Sequence, residues 1–162
     1  MQKKHPESRA ETRKVLIAGI PTPDLISLIG KRYGEDATVF VAESRPFEAD
    51  VARAVAAAGA AGYRITLCTD NMIGSLLNEF DIDAVWSLYS KEEAGVYTAI
   101  NGARMAAILA RAQGIPFMLF HRPFFPRVDS GFYAGEPVSV DGADYIEHEL
   151  DTVRADFVAE AV

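Results

Sequence analysis

The sequence holds one cysteine, Cys68, one tryptophan and three histidines in 162 residues. A single thiol excludes an internal disulfide and a multi-cysteine zinc site. The scattered histidines have no carboxylates at ligand spacing, so no metal is expected. No apolar run approaches the ~18 residues that cross a bilayer, which predicts no contact with a membrane. The start, Met1-Gln-Lys-Lys-His-Pro-Glu7, is basic but has no apolar stretch behind it, so no secretory signal is expected. A cytoplasmic location is the expectation. Positive charge is scarce beyond the start. Residues 1–14 carry five Lys/Arg against two Glu, and the other 148 residues carry 11 against 21 acids. A body with a net charge of −10 repels a phosphate backbone, so nucleic acid is not an expected partner.

What is present suits one globular domain, with 49% apolar and 24% charged residues. Residues 1–13 read as a flexible basic arm and 14–162 as a single domain. Lys14-Val-Leu-Ile-Ala-Gly-Ile20 is a continuous apolar run of the kind buried on both faces of a parallel sheet. Thr22 before Pro23 signals a helix start, and the helix ends near Gly34. Ala37–Ala42, Tyr63–Cys68, Asp83–Leu88 and Ile115–Phe120 read as further strands. Helices are expected over Phe47–Ala61, Asn71–Phe80 and Ala94–Gln113, the last from Val96, Ile100, Ala103 and Ala107 at helical spacing. Five strands alternating with four helices predict a Rossmann-like, three-layer α/β domain with a mostly parallel sheet and helices on both faces. After Phe120 the rhythm breaks: 124–131 is loop-like, Pro137–Val140 suits an edge strand, and Glu149–Ala161 suggests a terminal helix.

Ligands of such sheets bind outside the carboxyl ends of the strands. That rule gathers Asp24, Glu43, Arg45, Asp70, Asn71, Tyr89, Lys91, His121 and Arg122 as polar candidates at strand tips. Cations beside helix N-termini suit a phosphate or a carboxylate. The turn after the first strand, Ala18-Gly-Ile-Pro-Thr-Pro23, has neither Gly-x-Gly-x-x-Gly nor a Lys-Ser/Thr pair. NAD or ATP held in the standard way is not expected, and no cofactor is assigned. Cys68 at the end of an apolar strand reads as a buried structural thiol. For His121, a site role and a solvated loop position both stand. Trp86 and Phe124-Phe125 read as core or interface.

Two strand-tip turns carry recognisable words. Val41-Ala-Glu-Ser-Arg-Pro46 and Thr69-Asp-Asn-Met72, with the later passage Ala107–Phe117, resemble the family that joins translation initiation factor 2B regulatory subunits with methylthioribose-1-phosphate and ribose-1,5-bisphosphate isomerases. The resemblance runs from about Lys14 to Leu150. It implies Arg45, Asp70 and Asn71 at a ligand site, with bracing of the turns as the other reading; Arg122 joins the ligand-binding candidates from its strand-tip position alone. The family isomerases carry a catalytic Cys after the first strand, where this chain has Ala18-Gly-Ile-Pro21. Their catalytic Asp after the fourth strand corresponds to Tyr89. An Asn-Lys pair that contacts substrate phosphate corresponds to Ala99-Ile100. Family members also carry a helical domain ahead of this half, whereas 13 residues precede Lys14 here.

Isomerisation between C1 and C2 of a sugar needs a positioned acid/base pair in a dry pocket. The losses point to a non-catalytic initiation-factor-2B-like module that binds a small phosphorylated metabolite or a protein. The alternative is a sugar-phosphate aldose–ketose isomerase that uses Tyr89, Lys91 and His121. A purely scaffolding role is a third reading. The resemblance further implies pairing through this half, and a homodimer is expected through the helices 47–61 and 94–113 and the aromatic segment Phe124–Pro126.

Overall fold

The computed structural model describes residues 12–43, 48–123, 138–140, 143–145 and 150–162. β1 (Lys14–Ala18), β2 (Thr38–Ala42), β3 (Arg64–Cys68), β4 (Ala84–Glu93) and β6 (Phe117–His121) are the strands expected from the apolar runs. They lie parallel in the order β6-β4-β1-β2-β3. The order reverses between β1 and β4, which defines the switch point of a doubly wound sheet.

Alternation along each strand feeds two cores. Leu16, Phe40, Val85, Phe117 and Leu119 face one layer. It is covered by α3 (Ile73–Glu79) and α4 (Ala103–Ala112). Val15, Ile17, Val39, Val41 and Trp86 face the other, which is covered by α1 (Pro23–Tyr33) and α2 (Glu48–Ala60). Helix α1 starts as its sequence dictates, with Thr22 Oγ1 accepting the Leu25 amide at 3.4 Å and Pro23 at the first position. Trp86 is fully buried, donates from Nε1 to the Tyr33 hydroxyl at 3.4 Å, and lies under the Arg32 guanidinium. At the amino end of the sheet, Asp83 accepts the Lys14 amide at 2.8 Å and pairs with Arg13.

Two helical expectations fail. Residues 94–113 do not form one helix: β5 (Val96–Ile100) precedes α4 and pairs antiparallel with the outer half of β4. Val-Tyr-Thr-Ala-Ile is rich in β-branched and aromatic residues, and its tertiary pairing overrides the coincidental 3.6-residue spacing. Of the helix expected over 149–161, the described residues 150–161 form no α-helix. They form β9 (Leu150–Arg154), antiparallel to β5, then a 3-10 turn and β10 (Glu160–Ala161), parallel to β6. β7 (Val138–Val140) is a strand as expected, but it pairs with β8 (Ala143–Tyr145) in a separate hairpin. The basic arm up to residue 11, Arg45, Phe47 and the 124–131 segment lie outside the described residues.

The β4–β5 loop has two residues, and both Ala94 (φ 51°) and Gly95 (φ 78°) are left-handed, as a type I′ hairpin requires. Ala94 bears a Cβ in a conformation that costs about 1–2 kcal/mol. Ala94→Gly and Ala94→Asn are therefore expected to raise Tm by roughly 2–5 °C in a chain of this size, as read by calorimetry.

Candidate functional site

The carboxyl ends of β1, β2, β3, β4 and β6 share one rim, and the polar candidates fall on it in two groups. At the β3 end, the Asp70 Oδ1 accepts the Asn71 amide at 2.7 Å, and Thr69 Oγ1 donates to Asn71 Oδ1 at 2.5 Å. These bonds knit a 3-10 turn, Asp70–Met72, that leads into α3. Asp70 is half-buried and Asn71 exposed.

The second group stands at the ends of β4 and β6, where Tyr89 and His121 are register partners. Their ring centroids are 5.1 Å apart, and Tyr97 from β5 stands edge-on to Tyr89 at 5.0 Å. The His121 ring Nε2 lies 3.2 Å from the Ser90 carbonyl, and the Arg122 amide donates to the Tyr89 carbonyl at 2.9 Å. Burial first, then the neighbouring Tyr97 and Glu92, push the Tyr89 phenol above its ordinary pKa, so it is a proton-bearing hydroxyl at neutral pH. A bulge at Ser90 carries the strand on to Lys91, whose Nζ is 3.5 Å from Glu93. Lys91 thus extends into the hairpin, away from the tyrosine–histidine pair.

Neighbouring strands are ~4.8 Å apart, so β3 and β6, four positions from each other, have tips about 19 Å apart. Asp70 and Asn71 therefore do not converge with His121 and Arg122 on one sugar phosphate. Arg45 lies outside the described residues. Among the described residues, no group of three or more His, Cys, Asp or Glu is placed to hold a metal.

The switch point itself is apolar. Gly19 follows β1 with φ +123°, and a Cβ there would stand 2.9 Å from Ile100 Cγ2. Ile100 is 1% exposed. Ser87, fully buried at the β1–β4 junction, donates to the Ala18 carbonyl at 2.7 Å. At the start of α4, the Arg104 amide donates to Asp151 Oδ2 at 3.0 Å, and Asp151 Oδ1 accepts the Thr152 amide. A carboxylate of the chain thus sits where a helix dipole attracts an anion. Sequence reasoning missed Asp151, Tyr97 and Ser87. The first two depend on β5 and β9, which the helical spacing concealed, and Ser87 was passed over inside an apolar strand.

The strand order and the reversal between β1 and β4 define a Rossmann-type α/β domain. The sequence model of the Initiation factor 2 subunit family matches residues 24–120, and the chain belongs to that family. Over 80 residues it is 42% identical to methylthioribose-1-phosphate isomerase of Syntrophobacter fumaroxidans, a stretch covering 49% of this chain and 23% of that protein. Translation initiation factor eIF-2B of Pyrococcus horikoshii superposes with a TM-score of 0.71 at 14% identity, over 94% of this chain and 57% of that one. The 5-methylthioribose 1-phosphate isomerase of the same organism gives 0.70 at 15% identity, over 93% and 49%. The tetrameric eIF2B-beta2-delta2 complex of Chaetomium thermophilum gives 0.61 at 16%, over 94% and 49%. The chain thus spans about a quarter of the curated isomerase and about half of these structural relatives. Among the described residues, no helix is long and apolar enough to cross a membrane.

Cys68 ends β3 with its thiol donating to the Val41 carbonyl at 3.1 Å. Burial, with the Glu43 charge second, pushes its pKa from 9.0 to about 11. The fold thus favours the neutral thiol, a contribution complete below pH 9 and lost as pH rises through 11. Iodoacetamide labelling of the folded chain is expected to stay slow at pH 8–9 and to climb toward pH 11. Fast labelling at pH 8 would refute the structural-thiol assignment.

Proposed function

We propose that this chain is a non-catalytic member of its family that binds a small phosphorylated metabolite or a protein partner through its strand-tip rim. The observation that carries this reading is Ile100. It stands where the resembled isomerases place a phosphate-contacting lysine, and it is buried against Gly19. The same turn after β1 has no cysteine, and the close approach of Ile100 to Gly19 leaves little room for a side chain there. Tyr89 stands at the place of the catalytic acid and remains protonated. Asp151 supplies its own negative charge to the α4 amides. Binding is assigned to Arg122 at the β6 tip and to Asp70 and Asn71 at the β3 tip, two subsites rather than one, and to Arg45 from its place in the sequence. A homodimer belongs to the same reading; the structural relative named as the tetrameric eIF2B-beta2-delta2 complex supports association between chains of this fold.

A specific contact favours one second reading. The Tyr89–His121 pair puts a phenol beside an imidazole at adjacent strand tips, an arrangement suited to proton transfer in a changed sugar-phosphate isomerase.

Thermal denaturation with a panel of sugar phosphates separates these readings from a scaffold. A ligand at about 100 times its Kd stabilises by ~2.7 kcal/mol, a rise of roughly 5–10 °C. The rise is expected to be lost in Arg122→Ala or in Asp70→Ala, whichever subsite is used. No shift at millimolar concentration removes the metabolite and leaves the protein partner. Isomerisation of methylthioribose 1-phosphate is expected to be absent; turnover that falls at least a hundredfold in both Tyr89→Phe and His121→Ala would establish the second reading instead.

A further inference from the structure

We infer that the homodimer proposed above forms by antiparallel pairing of β3 with β3 of a second copy, centred on Thr66, so that one sheet runs through both chains. The inference rests on the homodimer reading and adds the surface that makes it.

Among the described residues, β3 is the sheet's terminal strand beyond β2, and its outer edge has no partner. The Cys68 carbonyl accepts the Glu43 amide on the β2 side at 2.9 Å. Backbone direction alternates along a strand, so the amides and carbonyls of Ile65 and Leu67 point outward. Natural edges are usually blunted by proline, a bulge or charge; β3 has neither proline nor bulge, and its one charge, Arg64, stands at the first position before the run Ile-Thr-Leu. Its flanks are unusually apolar for a surface. Leu67, in register with Val41 on the α2 face, is 44% exposed, and on the opposite face Met72 and Phe80 are 44% and 38% exposed.

The edge is complementary to itself. Arg64 at one end makes no ion pair among the described residues, and Asp70 just past the other end faces no cation there, its Oδ1 taking only the Asn71 amide. Antiparallel pairing about Thr66 sets Ile65 against the partner's Leu67 and Arg64 against the partner's Cys68, two residues before the partner's Asp70 at the start of its 3-10 turn. Both unmatched charges are matched twice by one two-fold axis. Helix α2 lies over this edge. At 100° per residue, its flank opposite α1 carries Ala52, Ala56 and Gly59, all exposed, and a Cβ on Gly59 would meet nothing within 4 Å. At these three positions nothing larger than a methyl group faces the second α2. Five paired residues bury too little for a stable dimer, which needs about 1,200 Å²; the α2 flank on one face and Met72 and Phe80 on the other supply the remainder.

Sedimentation equilibrium of the full chain from 1 to 100 µM gives the dimer constant. Leu67→Pro deletes one outward amide without touching a bond to β2, and it is expected to weaken the dimer at least tenfold with unchanged circular dichroism. Leu67→Lys serves if the proline variant does not fold. Thr66 is a non-hydrogen-bonded pair with itself, with Cα atoms about 4.5 Å apart, within disulfide reach. Thr66→Cys in a Cys68→Ser background is therefore expected to cross-link on mild oxidation, whereas Ser27→Cys on the exposed face of α1 stays monomeric on a denaturing gel. A mass of one chain throughout overturns both the dimer and this pairing. A dimer indifferent to the Leu67 changes, or one in which Thr66→Cys does not cross-link, overturns the pairing and leaves the dimer. Loss of metabolite binding in these assays bears on neither.

Discussion

The architecture depends on how β4 meets its backbone hydrogen-bonding needs. The strand is ten residues long, twice the length of β1 beside it. Up to Ser87 its neighbours are β1 and β6; beyond that point β1 has ended and the half-buried stretch at Tyr89 and Ser90 presents an open edge that pairing can satisfy. β5 folds back to take that edge, and β9 then pairs with β5. The register of this antiparallel annex decides what lies at the switch point. It brings Ile100 onto Gly19, sets Tyr97 edge-on to Tyr89, and carries Asp151 to the first turn of α4.

The same dependence explains which parts were legible in the sequence. Strands β1, β2, β3, β4 and β6 announce themselves because burial on both faces demands an unbroken apolar run, and Lys14–Ile20 or Ile115–Phe120 fits nothing else of that length. The start of α1 is written locally, in Thr22 and Pro23. β5 and β9 are half-buried strands whose apolar residues fall by coincidence at helical intervals: Val96, Ile100 and Ala103 in one case, Leu150, Val153 and Phe157 in the other. Ala94-Gly95 was the available signal for the hairpin, weak because alanine is an unusual choice at a positive φ.

The site is less legible than the fold for a related reason. Family words locate residues at strand tips, but which tips are neighbours depends on strand order. Asp70 and His121 both follow strands, yet the order β6-β4-β1-β2-β3 sends them to opposite ends of the rim. Tyr89 and His121, 32 positions apart, become partners only through the parallel register of β4 and β6. Cys68 was the easier case, since the end of an apolar strand already implies burial and burial raises a thiol's pKa.

Arg32 and Glu160 carry a consequence for the order of assembly. The guanidinium at the end of α1 lies over Trp86 and pairs with a carboxylate on β10, 128 residues away. β1, α1, β2, α2 and β3 follow one another through short turns and close small loops. The partners of β6 and β5 at the far side come instead from 150–161, after a long intervening stretch. Loop closure grows costlier with length, and contacts of high sequence separation slow folding. The β1–β3 half is therefore positioned to condense first, with the Arg32–Glu160 clasp fastening the second half onto a scaffold already built.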